Sequence, residues 1–442
     1  GTLPALAMRT LPPPPAVVPA VSSVTMGYGH LRAAHAIADA CDATVLHADR
    51  PPFAEDWEVR HWARIRSFYE SLSRATAVPF AGRAMQSILD GITAIPRPAR
   101  AGELAAPSLA SRYMASLVER GFGEGIVRHV RDRGVPLVAT FYAQAIVADA
   151  RGHADVVCVV TDADVNRVWA PACAEEGAIR YAAPTARAAR RLLAFGVPPE
   201  RVHRTGFPLP HSLLGDDDVV ARRRLAARLV RLDPRGAFLA QAPAQARRLR
   251  DEADPADVAG PLLVAFAIGG AGAQGNVARD LVHGLREPLA RGEVRLVLVA
   301  GVREDTAKTL ADHARGAGFE PAEGAPVEVL LAPDVPAYLD RFHALLGAVD
   351  LLWTKPSEIT FFAATGLPIV LAPPLGVQER ANRAWGISRG AALDGDARDA
   401  ARFLRRALDD GSLARAAWNG FTRLPRHGTR RILELLRRGK RG

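Results

Sequence analysis

Lysine is nearly absent from this chain. Of 57 basic residues only Lys308, Lys355 and Lys440 are lysine, so positive charge is written as arginine almost throughout. That makes Lys355, lying between a strand-like run and a helix start, a residue to account for. Cysteine is scarce as well. Cys41, Cys158 and Cys173 share no metal-ligand spacing, which argues against a zinc module or a disulfide framework and fits reduced thiols in a cytosolic protein. Long hydrophobic runs are missing, and no stretch approaches the roughly 18 uninterrupted apolar residues of a spanning helix. Aromatics make up only 6% of residues, and the arginines are mixed with acids along helices instead of forming blocks. With no nucleic-acid-binding signature, nucleic acid is not the expected partner despite a net charge of +10. An anionic substrate or an anionic membrane surface accounts for the charge as well.

What is present is an α/β pattern. Short apolar runs alternate with Ala/Arg/Leu-rich helical stretches, which predicts parallel sheets built from β-α units. Strands are expected at Val21–Met26, Thr44–His47, Leu137–Thr140, Val156–Thr161 and Arg180–Ala183. A second set is expected at Leu262–Ile268, Arg295–Ala300, Val327–Leu331, Leu351–Trp353 and Pro368–Ala372. A length of 442 residues calls for more than one core. The expected division is a flexible Pro-rich lead-in at 1–20, not a signal peptide, then a first doubly wound domain at 21–213. A helical linker at 214–260, a second such domain at 261–396 and basic C-terminal helices at 397–442, packing back on the first domain, complete it.

Two glycine-rich turns follow strands. In "VTMGYGHLRAA", Gly27 and Gly29 let backbone approach a ligand at a helix start, and His30 stands at the carboxyl end of the first strand, where open α/β sheets bind ligands. In "AFAIGGAGAQGN", Gly269, Gly270, Gly272 and Gly275 offer a row of N–H groups suited to a diphosphate. In "WTKPSEITFFAATGLP", Lys355 can reach a phosphate as a point charge. Ser357 can cap the following helix, which Gly366 ends, while Glu358 reads equally as a helix cap or as an acceptor for sugar or ribose hydroxyls. Gln378, Glu379 and Asn382 in "GVQERAN" fall at another strand end and suit sugar hydroxyls. The run Asp216-Asp217-Asp218 reads as a solvated helix start, and no metal site is expected.

The segment 51–98 concentrates aromatics, with Trp57, Trp62, Phe68, Tyr69 and Phe80 among arginines. Its helical stripe either packs on the first sheet or meets a lipid surface.

In order along the chain, "GYGHLRAA", "VVTDADVNRVWAP", "HRTGFPLP", "GGAGAQGN", "TKPSE…ATGLPIVLAPP" and "GVQERAN" resemble the motifs of GT-B glycosyltransferases related to monogalactosyldiacylglycerol synthase, diacylglycerol glucosyltransferases and the lipid II-forming N-acetylglucosaminyltransferase. The resemblance spans roughly Val21 to Trp385. It implies two Rossmann-like domains facing a cleft and an inverting, metal-independent hexosyltransferase. No cofactor is implied beyond the donor substrate, a nucleotide sugar and most simply a UDP-sugar. Asp162 and Trp169 match the family's "TD…W" motif on the acceptor side, together with Gly27, Gly29 and His30. His30 or Asp162 would be the base. Gly269, Gly270, Gly272, Lys355, Ser357, Glu358, Gln378, Glu379 and Asn382 would hold the donor. A lipid or lipid-linked acceptor near Trp57 and Trp62 would place the protein in the cytoplasm and peripherally on a membrane. One departure is plain. The relatives' turn reads "GGLTLSEALALGLP", with a ribose-binding glutamate, whereas here it is two residues shorter and Phe361 falls at that position. A nucleotide-sugar 2-epimerase-like enzyme and a non-catalytic nucleotide-sugar binder therefore stay open beside the transferase.

Overall fold

The computed structural model describes residues 11–438 except 12, 14, 76–94, 96–98, 268–274 and 375, with residues 68–75 by backbone alone. They form two compact α/β units. The first holds residues 11–210, 376–382 and 425–438, and the second 211–374 and 383–424.

The first unit is a six-stranded, all-parallel sheet. Its strands are β1 (Ala20–Ser23), β2 (Val45–His47), β3 (Leu137–Ala139), β4 (Val156–Val159), β5 (Arg180–Ala183) and β6 (Val202–Arg204), in the order β2-β1-β3-β4-β5-β6. Side chains alternate across a strand, and both faces of this sheet are covered. Leu137, Ala139, Val156, Cys158, Tyr181 and Ala183 enter one core, shared with helices Leu109–Glu119, Glu124–Arg133, Tyr142–Ala150 and Ala186–Ala194. Val21, Val138, Val157, Val159 and Ala182 enter the other, covered by helix Tyr28–Asp39 and by the last helix, Gly428–Arg438. That last helix delivers Ile432, Leu433, Leu435 and Leu436, all at most 6% exposed. Thr429 Oγ1 donates to Leu209 O at 2.7 Å and Arg431 to Thr205 O at 2.8 Å, fixing its start.

The second unit repeats the plan with β7 (Leu262–Ala267), β8 (Val294–Gly301), β9 (Val327–Leu331), β10 (Leu351–Thr354), β11 (Ile369–Leu371) and β12 (Ala392–Asp394), in the order β12-β11-β10-β7-β8-β9. The sequence pattern located ten of these twelve strands. It omitted β6 and β12, whose "VHR" and "ALD" contain no apolar run. Both lie at sheet edges, where one hydrogen-bonded neighbour suffices to hold a three-residue strand.

Residues 214–260 are helical and pack within the second unit. On helix Val219–Arg231, the buried Arg228 guanidinium donates to Leu346 O and Val349 O at 2.9 Å each, satisfying carbonyls at the end of helix Val335–Ala348. Burial lowers its pKa to about 10. Arg231 forms a bidentate pair with Asp350, which also accepts from Leu263 N at 2.8 Å at the start of β7. Asp216–Asp218 form a short 3₁₀ turn, with Asp217 and Asp218 in the left-handed region. Among the described residues no three His, Cys, Asp or Glu side chains are gathered as a metal site, and no helix is long and apolar enough to cross a membrane. Cys41 and Cys158 are buried, with thiol pKa values pushed up by desolvation, while Cys173 is exposed.

The last helix closes one face of the first sheet, so Leu433→Ala is expected to cost about 2–5 kcal/mol. Thermal unfolding should show a clear loss of Tm relative to wild type. An unchanged Tm would mean that the helix is dispensable to that core.

Candidate active site

The carboxyl ends of β1, β3 and β4 meet around His30. Strand β1 ends at Ser23, and the chain turns through Gly27 into helix Tyr28–Asp39. Gly27 has φ 123° and ψ 163°, a conformation that side chains rarely adopt, and the space where a Cβ would stand is open. The helix start has no side-chain cap and no acid in its first turn, so its N–H groups favour an anion or a developing negative charge. Asp49, at the end of β2, supports the turn by accepting from Thr25 N at 3.0 Å and from the Thr25 hydroxyl.

Half-buried His30 sits in the first helical turn. Its Nδ1 lies 2.7 Å from the carbonyl oxygen of Thr140, directly beyond β3, and 3.2 Å from Thr161 Oγ1, beyond β4. A carbonyl can only accept, so Nδ1 carries the proton and the Thr161 hydroxyl oxygen is a second acceptor for the same N–H. In the neutral ring the lone pair is then on Nε2. Thr140 is itself fixed, its N–H donating to Ser22 O at 3.0 Å and its hydroxyl to Ser23 Oγ at 3.0 Å. The imidazole is also held by rings: Phe141 edge-on at 4.9 Å and Trp169 at 6.3 Å, with Tyr142 bridging Phe141 and Trp169.

Asp162 stands on the loop after β4, next to Thr161, and this loop is tightly tied. Thr185 Oγ1 donates to Ala163 O at 2.7 Å. Buried Arg191 forms a bidentate pair with buried Asp164, both contacts 3.1 Å. The amide of Asn382 binds both sides of the turn, accepting from Ala163 N at 2.8 Å and donating to Asp162 Oδ1 at 3.1 Å. Asn382 is 1% exposed, so its side chain orients the Asp162 carboxylate. Gln378 and Glu379, one turn earlier on helix Val377–Ser388, are half-buried.

The tryptophans are core side chains. Trp62 is 4% exposed and packs on Phe122 and Phe141, while Trp57 is half-buried against Phe122. Through Phe141 the Trp62 ring backs the wall against which His30 stands. Trp169 is likewise buried, its carbonyl accepting from Tyr181 OH at 2.9 Å. Phe68 and Tyr69 lie where only the backbone is described, and Phe80 lies outside the described residues.

In the second unit, Lys355 follows β10 directly. Thr354, the last residue of β10, pairs in register with Ala267, the last of β7, and its hydroxyl donates to Ala267 O at 3.1 Å. Lys355 thus stands just beyond the carboxyl end of β10, next to the end of β7. Gly269, Gly270 and Gly272 themselves lie outside the described residues. Ser357 caps the next element, accepting from Ile359 N, and Glu358 is its first residue. That element, Glu358–Thr365, is a 3₁₀ helix ended by Gly366 at φ 76°. It is seated by Gly420, where a Cβ would stand 2.2 Å from Ala363 O and separate the two helices. Lys355, Ser357 and Glu358 are all half-buried. Phe361 is buried against Trp385, ring centroids 4.7 Å apart.

Thr140, Thr161, Asp164 and Arg191 were not singled out from sequence. Thr140 and Thr161 each follow an apolar run directly, a signal that a search for hydroxyls at strand ends would have found. The Asp164–Arg191 pair spans 27 residues and left none.

Neither a protein-family model nor a curated protein matches the chain. Solved structures with a similar fold include UDP-GlcNAc 2-epimerase from Neisseria meningitidis bound to UDP-GlcNAc, at 10% identity and TM-score 0.45, covering 94% of this chain and 99% of that one. MurG from Acinetobacter baumannii aligns at 13% identity and TM-score 0.49, covering 95% and 99%. HepE from Anabaena in complex with UDP aligns at 14% identity and TM-score 0.43, covering 95% and 97%. Similarity at this level leaves the functional reading to the chain's own residues.

Proposed function

We propose that this chain is a nucleotide-sugar enzyme, and specifically an inverting glycosyltransferase that takes a UDP-linked sugar. The observation that carries the proposal is the hydrogen bond from His30 Nδ1 to the Thr140 carbonyl. It fixes the tautomer whose Nε2 can accept a proton, at the carboxyl ends of a parallel sheet. In this reading an acceptor hydroxyl gives its proton to Nε2 as its oxygen attacks the anomeric carbon, and the bond to the nucleoside diphosphate breaks on the opposite face. Asp162, oriented by Asn382, stabilises the imidazolium or positions the acceptor. Lys355 and the glycine-run N–H groups meet the departing diphosphate, and Glu358 takes over the ribose hydroxyls.

A nucleotide-sugar binder without turnover is the second reading. It is favoured by Phe361, which leaves the relatives' carboxylate position apolar. An epimerase-like enzyme, which would require further acid/base carboxylates, stays open beside these two.

The acceptor is proposed to be lipid or lipid-linked, with the protein peripheral on a membrane in the cytoplasm. Support comes from the motif resemblance and from Leu109 and Tyr113, 83% and 50% exposed on one helix with Arg112 beside them. Leu109→Ser with Tyr113→Ser should then reduce co-sedimentation with anionic vesicles at low salt. Wild-type protein that ignores such vesicles and glycosylates only soluble acceptors overturns the lipid part.

Transfer assays with UDP-sugars test the chemistry. His30→Ala should lower kcat by about 10²–10⁴-fold with little change in donor KM. An unchanged kcat moves the base to Asp162. Binding of UDP with no turnover in wild type, across soluble and lipid acceptors, selects the binder.

Lys355→Ala should weaken UDP more than uridine, because the lost charge acts on phosphate. Glu358→Gln should weaken both without lowering Tm. If both variants bind UDP as wild type does, the donor assignment falls.

A further inference from the structure

Helix Asp56–Ala75 presents one stripe of side chains to the surroundings of His30. Glu58, Trp62 and Arg66 follow one another at helical i, i+4 spacing and share a face. Glu58 is 3% exposed. Its carboxylate accepts from Glu55 N at 2.7 Å and from Gly123 N, which ties the helix start to the loop before helix Glu124–Arg133. Trp62 packs on Phe141, ring centroids 5.7 Å apart, and Phe141 is the ring that stands edge-on to His30. Arg66 is half-buried and reaches the turn in front of His30, where its guanidinium donates to Thr25 Oγ1 at 3.3 Å.

The Thr25 hydroxyl is used in both directions. It accepts from Arg66 and donates to Asp49, whose carboxylate also takes the Thr25 N–H at 3.0 Å. The chain of bonds runs from a cation through one hydroxyl to a carboxylate that is 5% exposed, so each bond polarises and strengthens the next. The turn that follows has little of its own to hold it. Gly27, at φ 123°, and Gly29 put no Cβ into it, and helix Tyr28–Asp39 starts without a side-chain cap. His30 lies in the first turn of that helix. The place at which the helix begins decides whether its Nδ1 meets the Thr140 carbonyl at 2.7 Å.

The geometry points to Thr25 and Arg66 as positioning residues for His30, an inference that rests on the reading of His30 as the base. Arg66 and Asp49 grip the Thr25 hydroxyl from helix Asp56–Ala75 and from the end of β2, and this grip sets the helix start that delivers the imidazole to Thr140. Trp62, one helical turn before Arg66, supports the opposite side of the ring through Phe141. A single helix thus braces the base from its turn and from its wall. Neither Thr25 nor Arg66 is assigned any contact with the sugar or the nucleotide.

The test reads the His30 ring directly, in the full chain without substrate. In wild type the ring-nitrogen resonances of neutral His30 should show one tautomer, with the proton on Nδ1. Thr25→Val removes the hydroxyl at nearly constant volume, and Arg66→Met keeps the stem and removes the guanidinium. Each should move the two nitrogen resonances towards one another as the tautomers mix. Thr25→Ser and Arg66→Lys keep the hydrogen-bonding group and should hold the wild-type pattern. Arg64→Met, at an exposed position of the same helix, should leave it unchanged. In transfer assays Thr25→Val and Arg66→Met should each lower kcat about tenfold, with the UDP-sugar KM as in wild type. A wild-type nitrogen pattern in both Thr25→Val and Arg66→Met overturns the positioning role, whatever happens to the rate. If wild type transfers no sugar, the glycosyltransferase reading falls, and the ring resonances still decide the brace.

Discussion

A parallel sheet has to be covered on both faces, and most of the first unit's architecture follows from that requirement. Its strands are apolar at successive positions because each strand feeds two cores. One core is closed by helices that follow in sequence. The other is closed by helix Tyr28–Asp39 together with Gly428–Arg438, a helix contributed from the far end of the chain. Ile432, Leu433, Leu435 and Leu436 are buried against that face.

The parallel arrangement also decides where chemistry can occur. All carboxyl ends point the same way, so the turns after β1, β3 and β4 converge, and residues more than a hundred positions apart become neighbours. His30, Thr140 and Thr161 meet in this way. The contact with a backbone carbonyl matters more than the histidine's identity alone, because it selects which nitrogen holds the proton. A histidine at the same helix start without that carbonyl would have no fixed tautomer. The loop bearing Asp162 is held just as firmly, by Thr185, Asn382 and the Asp164–Arg191 pair. Both groups are thus set by rigid strand ends rather than by mobile loops.

The second unit reuses this geometry with other residues. The pairing of Thr354 with Ala267 brings the Lys355 turn to the end of the strand that leads into the glycine run. Here half-buried Glu358 is the first residue of a 3₁₀ helix whose cap is Ser357. Phe361 of that helix is buried against Trp385.

By itself the sequence determined the two-sheet α/β plan, ten of the twelve strands, and the turns at which Gly27, His30, Lys355 and Glu358 stand. Those features are local: an apolar run, a glycine that tolerates an unusual φ, a cap, a lone lysine among arginines. What only the tertiary structure decided are the relations between distant segments. Thr140 as the partner of His30, Asn382 as a clamp on Asp162 and Trp62 as the backing of Phe141 all depend on how the chain crosses from strand to strand. Periodicity records which face of an element is buried but not what it is buried against. The partner of a hydrogen bond across a hundred residues leaves no trace in the residues beside either end.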